Sequence, residues 1–315
     1  MHDRTSLPLN LLERLRLILP SEEWPKVITT FHMPRVLSVR INTLKTSREV
    51  VLRRLQEKGI VFQNVSWYPE ALILQNYAQN ELGESDWVKK GWVFAQNLSG
   101  ILPVLVLNPQ PADRILDMCA APGSKTTQIA SLMRNEGSIL ALEAVRDRFY
   151  RLKAVCALLG ATNVDFKLMD ARCYRFAGEY FDRILVDAPC SSEGRFKIFD
   201  PKTFAYWSPR KIREMVQKQR GLLMTASHLV RPGGWLVYST CTFAPEENEG
   251  VVDWLLRKGP QDLELVECPL KGIGRYPALT RWGEKVFDRR VSRCWRVLPD
   301  ALMEGFFLAL FRRKG

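Results

Sequence analysis

The chain is poor in groups that hold metals. It has three histidines, and its seven cysteines (119, 156, 173, 190, 241, 268, 294) are irregularly spaced with no C-x-x-C pair. A zinc site and a disulfide framework are therefore not expected. Any one cysteine reads first as a small buried hydrophobe, and most of the seven are read that way. No apolar run approaches the length of a membrane span, and Met1–Arg16 carries charges throughout, without a signal-peptide core. The expected setting is cytoplasmic, with no membrane partner. Internal repeats and low-complexity segments are missing too. The remainder is an ordinary globular composition, 46% apolar and 25% charged, in 315 residues. That length suits a catalytic domain plus a smaller one.

Acidic charge is also in deficit, and unevenly. The net charge is +12; residues 195–220 carry 8 Lys/Arg against 2 Asp/Glu, and 271–315 carry 11 against 4. The rest is essentially balanced. Solvated helix faces would explain either stretch alone; both together point to a polyanion.

The stretch around which the chain is organised is R-I-L-D-M-C-A-A-P-G-S-K, Arg114–Lys125. Ile115, Leu116 and Met118 read as a buried parallel strand, and Thr126–Arg134 as a helix. A strand leading through a Gly-containing turn into a helix makes a cofactor cradle, because the helix start offers unpaired N–H donors and a positive dipole end. The loop lacks the three glycines of a dinucleotide fingerprint and the earlier glycine of a P-loop. The turn Cys119, Ala120, Ala121, Pro122, Gly123, Ser124 and Lys125 thus suits a ligand without pyrophosphate. S-adenosylmethionine, with a carboxylate for the N–H groups, is such a ligand.

In chain order, Leu9–Leu19 and Glu22–Phe31 read as helices. Val36–Leu44 alternates as a strand, Ser47–Lys58 is helical, and Ile60–Val65 and Ala71–Leu74 are strands. This β-α-β-β order predicts a small N-terminal α+β domain over 1–90, RNA-recognition-like but without aromatic RNP motifs. Gln96–Leu107 reads as a helix kinked at Pro103. From Asp113 strands and helices alternate to a last strand at Gly305–Phe311. Residues 91–315 are therefore expected to form a Rossmann-like, doubly wound, mostly parallel α/β sheet.

Glu143, Asp170 and Asp187 fall at the ends of successive strands, where such sheets place their ligands. Glu143 suits ribose hydroxyls and Asp170 an adenine amino group; each acid could instead be a helix N-cap. Asp187-Ala-Pro-Cys190-Ser-Ser follows the fourth strand, and Ser239-Thr-Cys241-Thr follows the fifth. Both cysteines thus lie on the cradle's rim, and a following helix N-terminus would favour thiolate.

Three motifs, D-M-C-A-A-P-G-S-K-T, D-A-P-C-S-S-E-G and S-T-C-T-F-A-P-E-E-N-E, resemble those of the RNA 5-methylcytosine methyltransferases of the Nol/Nop/Sun class (RsmB/RsmF-like). The resemblance runs from about Leu37 to Phe311. Ser124 stands where many members have a second Gly, Asn97 and Gly100 replace parts of Q-D-x-S-S, and Phe196–Phe199 blurs an Arg-rich stretch. The resemblance implies S-adenosylmethionine-dependent methylation of cytosine C5, with Cys241 adding to C6 and Cys190 assisting release. Asp187 would hold the base at N3/N4. Lys125 either orders the cradle or is a solvated first-turn lysine. The implied partner is RNA with a flipped-out cytosine, ribosomal RNA first and tRNA as the alternative, acted on by a monomer.

Two other classes compete. A non-catalytic RNA-binding assembly factor could keep the fold, and a nicotinamide oxidoreductase is disfavoured by the single-Gly loop. DNA cytosine-5 enzymes share the reaction but use the Pro-Cys cysteine as nucleophile, so Thr240-Cys241 favours RNA. With little chain after the last strand, target choice is expected to rest on residues 1–90, the basic stretches or a partner.

Overall fold

Two short amphipathic helices lead the chain: α1 (Leu9–Ile18) buries Leu11, Leu15 and Ile18, and α2 (Trp24–His32) buries Val27 and Phe31. The computed structural model describes residues 7–175 and 180–315. These helices pack with Phe196, Phe204, Phe243 and Leu298, which belong to loops of the larger domain. Arg14 adds an ion pair to Glu246 at 2.7 Å.

The small sheet follows. β1 (Leu37–Ile41), α3 (Arg48–Glu57), β2 (Phe62–Asn64), β3 (Ala71–Leu74), α4 (Gln79–Glu84), α5 (Asp86–Lys89) and β4 (Val93–Ala95) succeed one another. All pairings are antiparallel, in the order β2-β3-β1-β4. That is the β-α-β-β-α-β ferredoxin-like arrangement. The sequence pattern gave its first four elements. The closing helices and β4 were missed: helices of six and four residues and a strand of three carry little periodicity. β4 pairs with β1, so the small sheet continues past residue 90.

A 3₁₀ turn at Ser99–Ile101 and α6 (Leu102–Leu107) replace the single helix expected from Gln96. Then come β5 (Arg114–Asp117), α7 (Ser124–Leu132), β6 (Ser138–Glu143), α8 (Arg146–Leu159), β7 (Val164–Leu168), β8 (Phe181–Asp187), α9 (Pro209–Leu229), β9 (Val230–Thr240) and α10 (Glu249–Lys258). β10 (Leu263–Val266), β11 (Tyr276–Pro277), the hairpin β12 (Arg281–Trp282) and β13 (Lys285–Val286), β14 (Trp295–Val297) and β15 (Phe306–Arg313) complete the chain.

β7-β6-β5-β8-β9 run parallel, and the chain reverses its direction across the sheet between β5 and β8. Both faces are covered. Leu116, Ile184 and Leu236 pack with α9 and α10, while Ile115, Leu185 and Val237 pack with α6 and α7. This two-sided burial makes the strands continuously apolar. β15 lies antiparallel to β9 and carries β10 and β14, so an antiparallel wing extends the sheet. Only β15 of that wing was visible in the sequence.

Candidate active site

A cleft of about 800 Å³ opens at the carboxyl ends of the parallel strands. Cys119, Ala120, Ala121, Pro122, Ser124, Lys125, Glu143, Asp170, Asp187, Cys190 and Cys241 all line it. Gly123 does not. It sits at φ +108° as the residue before α7, and a Cβ there would meet Val155 Cγ1 at 3.1 Å. Its task is to turn the backbone against α8.

No side chain caps the start of α7. Its first N–H groups have no intrahelical partners and remain available to a carboxylate. Arg148 donates to the Ala121 carbonyl at 2.7 Å and fixes the turn from the α8 side. Beneath it, buried Asp117 accepts from Thr126 Oγ1 at 2.8 Å, and burial pushes its carboxyl up to about 6. Burial also drives the Cys119 thiol well upward, so this cysteine is an inert part of the turn.

The three strand-end carboxylates have different settings. Glu143, nearly buried, accepts from Val145 N–H at 2.9 Å. Asp170 accepts from Arg172 N–H at 2.9 Å and from its guanidinium at 2.6 Å, and that partner holds its carboxyl below the usual range. It is thus an N-cap as well as a cleft residue. Asp187 receives Lys125 Nζ at 2.7 Å and Ser239 Oγ at 2.7 Å. Lys125 is therefore not a solvated lysine; it is half of an ion pair inside the cleft.

The two cysteine sulfurs lie 3.3 Å apart. Gly194 N–H donates to the Cys241 carbonyl at 2.9 Å, tying one loop to the other. Below them two buried acids brace the loops. Glu247 accepts from Ser191 N–H at 3.0 Å and from Gln219 Nε2 at 2.7 Å. Glu193 accepts from Thr242 Oγ1 at 3.0 Å, Phe243 N–H at 3.1 Å and Trp207 Nε1 at 2.8 Å. Burial pushes Glu247 up to about 8 and raises Glu193 as well.

The pair is electrostatically asymmetric. The hydrogen bond from Cys190 lowers the Cys241 thiol, with help from the Arg195 guanidinium and Ser192, against burial and Asp187. The same bond, then burial, raises Cys190. The two shifts run in opposite senses, toward thiolate for Cys241 and toward thiol for Cys190. No α-helix starts directly after either cysteine: α9 begins at Pro209 and α10 at Glu249, and only a 3₁₀ turn, Glu193–Arg195, follows Cys190 closely. Sequence reasoning missed Arg195 and the two bracing glutamates, although Glu193 and Glu247 stand inside the cysteine motifs.

A Rossmann-like sheet with a donor cradle and two facing cysteines on its rim defines a methyltransferase catalytic domain. The chain belongs to the 16S rRNA methyltransferase RsmB/F family, whose model matches residues 104–312. The family's ferredoxin-like domain matches residues 7–80. Ribosomal RNA small subunit methyltransferase F of Cronobacter sakazakii is 37% identical over 98% of this chain, and its counterpart in Pectobacterium carotovorum is 38% identical over 82%. The chain spans 63% and 54% of those proteins. A tRNA (cytosine(49)-C(5))-methyltransferase of Pyrococcus abyssi is 36% identical over 96% of this chain and 95% of its own length. Among solved structures, a methyltransferase homolog from Pyrococcus horikoshii (TM-score 0.80, 30% identity) covers 98% of this chain and 100% of its own. NSun6 from the same organism, solved with SFG, has a TM-score of 0.83 at 26% identity and covers 98% of each chain. Among the described residues no helix is long and apolar enough to cross a membrane.

Proposed function

We propose that this protein methylates cytosine C5 in RNA, using S-adenosylmethionine and a covalent Cys241–C6 adduct. One observation carries the reading: two sulfurs 3.3 Å apart, of opposite protonation tendency, share a cleft with the cradle at 119–125.

The uncapped start of α7 would hold the donor's carboxylate, Glu143 its ribose and Asp170 its adenine. The volume, about 800 Å³, accommodates a cofactor and a base together. The bound SFG of the Pyrococcus horikoshii neighbour, an S-adenosylmethionine analogue, supports this assignment. When bound, S-adenosylmethionine supplies an electrophilic methyl group for the activated C5 carbon.

The chain's own groups do the rest. Cys241 Sγ forms a bond to C6, and the C5=C6 electron pair becomes available at C5. Asp187, fixed by Lys125 and Ser239, holds the N3/N4 edge by accepting from the N4 amino group, and the Lys125 ammonium beside it counters the negative charge that develops on the ring. After methylation, Cys190, once its own proton has passed to solvent, takes the C5 proton as a general base; the double bond re-forms and Cys241 leaves as thiolate. The target base must leave any stack, which single-stranded or loop RNA makes easier.

Ribosomal RNA is the first candidate target. tRNA is the alternative, favoured by the nearly full-length Pyrococcus abyssi relative. Labelled S-adenosylmethionine offered with ribosomal subunits, free ribosomal RNA and tRNA should place the label at C5 of a cytosine in one of them. No transfer to any of the three would leave a non-catalytic RNA-binding factor as the better description.

A further inference from the structure

Beside the cysteine pair lies a group of cations that share one acid. Glu304, whose side chain is 11% exposed, faces two guanidinium groups: Arg35 Nε at 3.3 Å from one oxygen and Arg195 Nε at 3.4 Å from the other. Arg35 also donates to the Arg195 carbonyl at 3.1 Å. Lys197 feels the same acid and is pushed down by burial and by Arg35, while its amine donates to the Thr30 carbonyl at 2.7 Å. Glu304 alone does not match these three cations, although Arg195 also feels Asp187 and the two cysteine sulfurs.

The cluster is built rather than incidental. Gly305 N–H donates to the Gly194 carbonyl at 3.2 Å, and a Cβ on Gly194 would lie 2.3 Å from the Gly305 oxygen. Only this bare crossing of two backbones lets the next residues, Arg195 and Glu304, reach each other on the cleft wall. Glu304 engages both arginines through Nε. No protein group among the described residues hydrogen-bonds to the Arg195 Nη atoms. Arg195 remains 51% exposed and Arg35 40%. A guanidinium oriented by its Nε and open at its Nη fork is suited to a phosphate.

We propose that Arg35 and Arg195, set by Glu304 and reinforced by the charge of Lys197, form a phosphate subsite for a single phosphodiester adjoining the cytidine whose base enters the cleft. The subsite rests on the RNA reading above and adds to it the point at which the backbone is gripped. The clamp sits at the lip of the base pocket. It would hold the nucleotide's backbone there while its base reaches Cys241.

The test is binding of a labelled, short, single-stranded, cytidine-containing oligoribonucleotide by fluorescence anisotropy across a salt series, with S-adenosylhomocysteine present. On single strands each neutralised phosphate contributes about 0.7 to the slope of log affinity against log salt. Arg195→Gln and Arg35→Gln should each lower that slope in part, and the double variant by about 0.7 in all, because both grip one phosphate. Arg195→Lys should restore the slope, which a folding defect would not permit. An unchanged slope in the double variant would overturn the subsite, as would a loss there of about 1.4, the worth of two phosphates. So would a parallel loss of S-adenosylhomocysteine affinity, which would assign the arginines to the cofactor. Adduct formation by Cys190→Ala, measured separately, reports on the cytosine chemistry whatever the slopes show.

Discussion

Arg40 of the small sheet donates to Thr127 Oγ1 of α7 at 2.9 Å, across the boundary between the two domains. The same guanidinium reaches Gln96 Oε1 at 2.8 Å and the Ser124 carbonyl at 3.3 Å, at the cradle itself. It is fully buried, and that burial lowers it to about 10, still charged at neutral pH. Arg40 is thus a strut between the ferredoxin-like sheet and the donor loop. Arg40→Lys keeps the charge and loses the fork. It should cost about 2 kcal/mol of stability, from unfolding in urea, and weaken S-adenosylhomocysteine binding by calorimetry.

The cysteines should separate cleanly by substitution. Cys241→Ala should abolish methyl transfer while leaving cofactor affinity unchanged. Cys190→Ala should slow release by about 10²–10⁴-fold, the range for a positioned base, and accumulate an RNA–protein band on denaturing gels. A band formed by Cys241→Ala instead would reverse the two roles.

A pH profile should reveal the low thiol. Cys190, Arg195 and Ser192 lower Cys241, and burial with Asp187 opposes them. The acid limb of kcat/KM should therefore fall below about 8.5, the ordinary thiol value. Arg195→Gln should move it upward.

Glu247 makes a prediction about stability of the opposite sense. Its carboxyl is raised from 4.5 to about 8 in the fold, so the native state holds a proton that the unfolded chain has lost. The benefit is complete below about pH 4.5 and disappears as pH rises through 8. Tm should decline across that window, and Glu247→Gln should flatten the decline in calorimetric scans.

Gly194→Ala should be disproportionately harmful. The added methyl meets backbone, not a yielding side chain, so the loss is about 1–3 kcal/mol by the range for overpacking. Chemical denaturation measures that loss. Methyl transfer should fall further, because the two cysteine loops are hydrogen-bonded through this residue.

Much of the site was legible because its chemistry sits on strand ends. Glu143 and Asp187 each close a strand, and the cysteines follow β8 and β9. What the pattern hid lies at interfaces. Val39 and Ile41 alternate with Arg40 and Asn42, which reads as a strand with one wet face. Yet that polar face is buried against the larger domain: Asn42 Nδ2 donates to the Leu159 carbonyl at 2.7 Å, and Asn42 Oδ1 accepts from Ser131 Oγ at 3.2 Å. Periodicity records polarity and not whether water or a second domain satisfies it. Part of the C-terminal basic stretch is matched within the fold in the same way. Arg296 is a buried partner of Glu249 at 2.6 Å, Arg313 pairs with Asp262 and Lys314 with Glu264, so these charges hold the wing together.

The reversed course of β15 has an architectural consequence. Parallel strands bring only their exits to the reactive rim, whereas an antiparallel neighbour of β9 brings its entrance there, with Glu304 and Gly305 just ahead of Phe306. The approach to β15 can therefore vary in length and composition without altering any turn that leaves the parallel strands. Paralogues could retune their grip on a nucleotide by editing that one approach while the sulfur chemistry stays fixed.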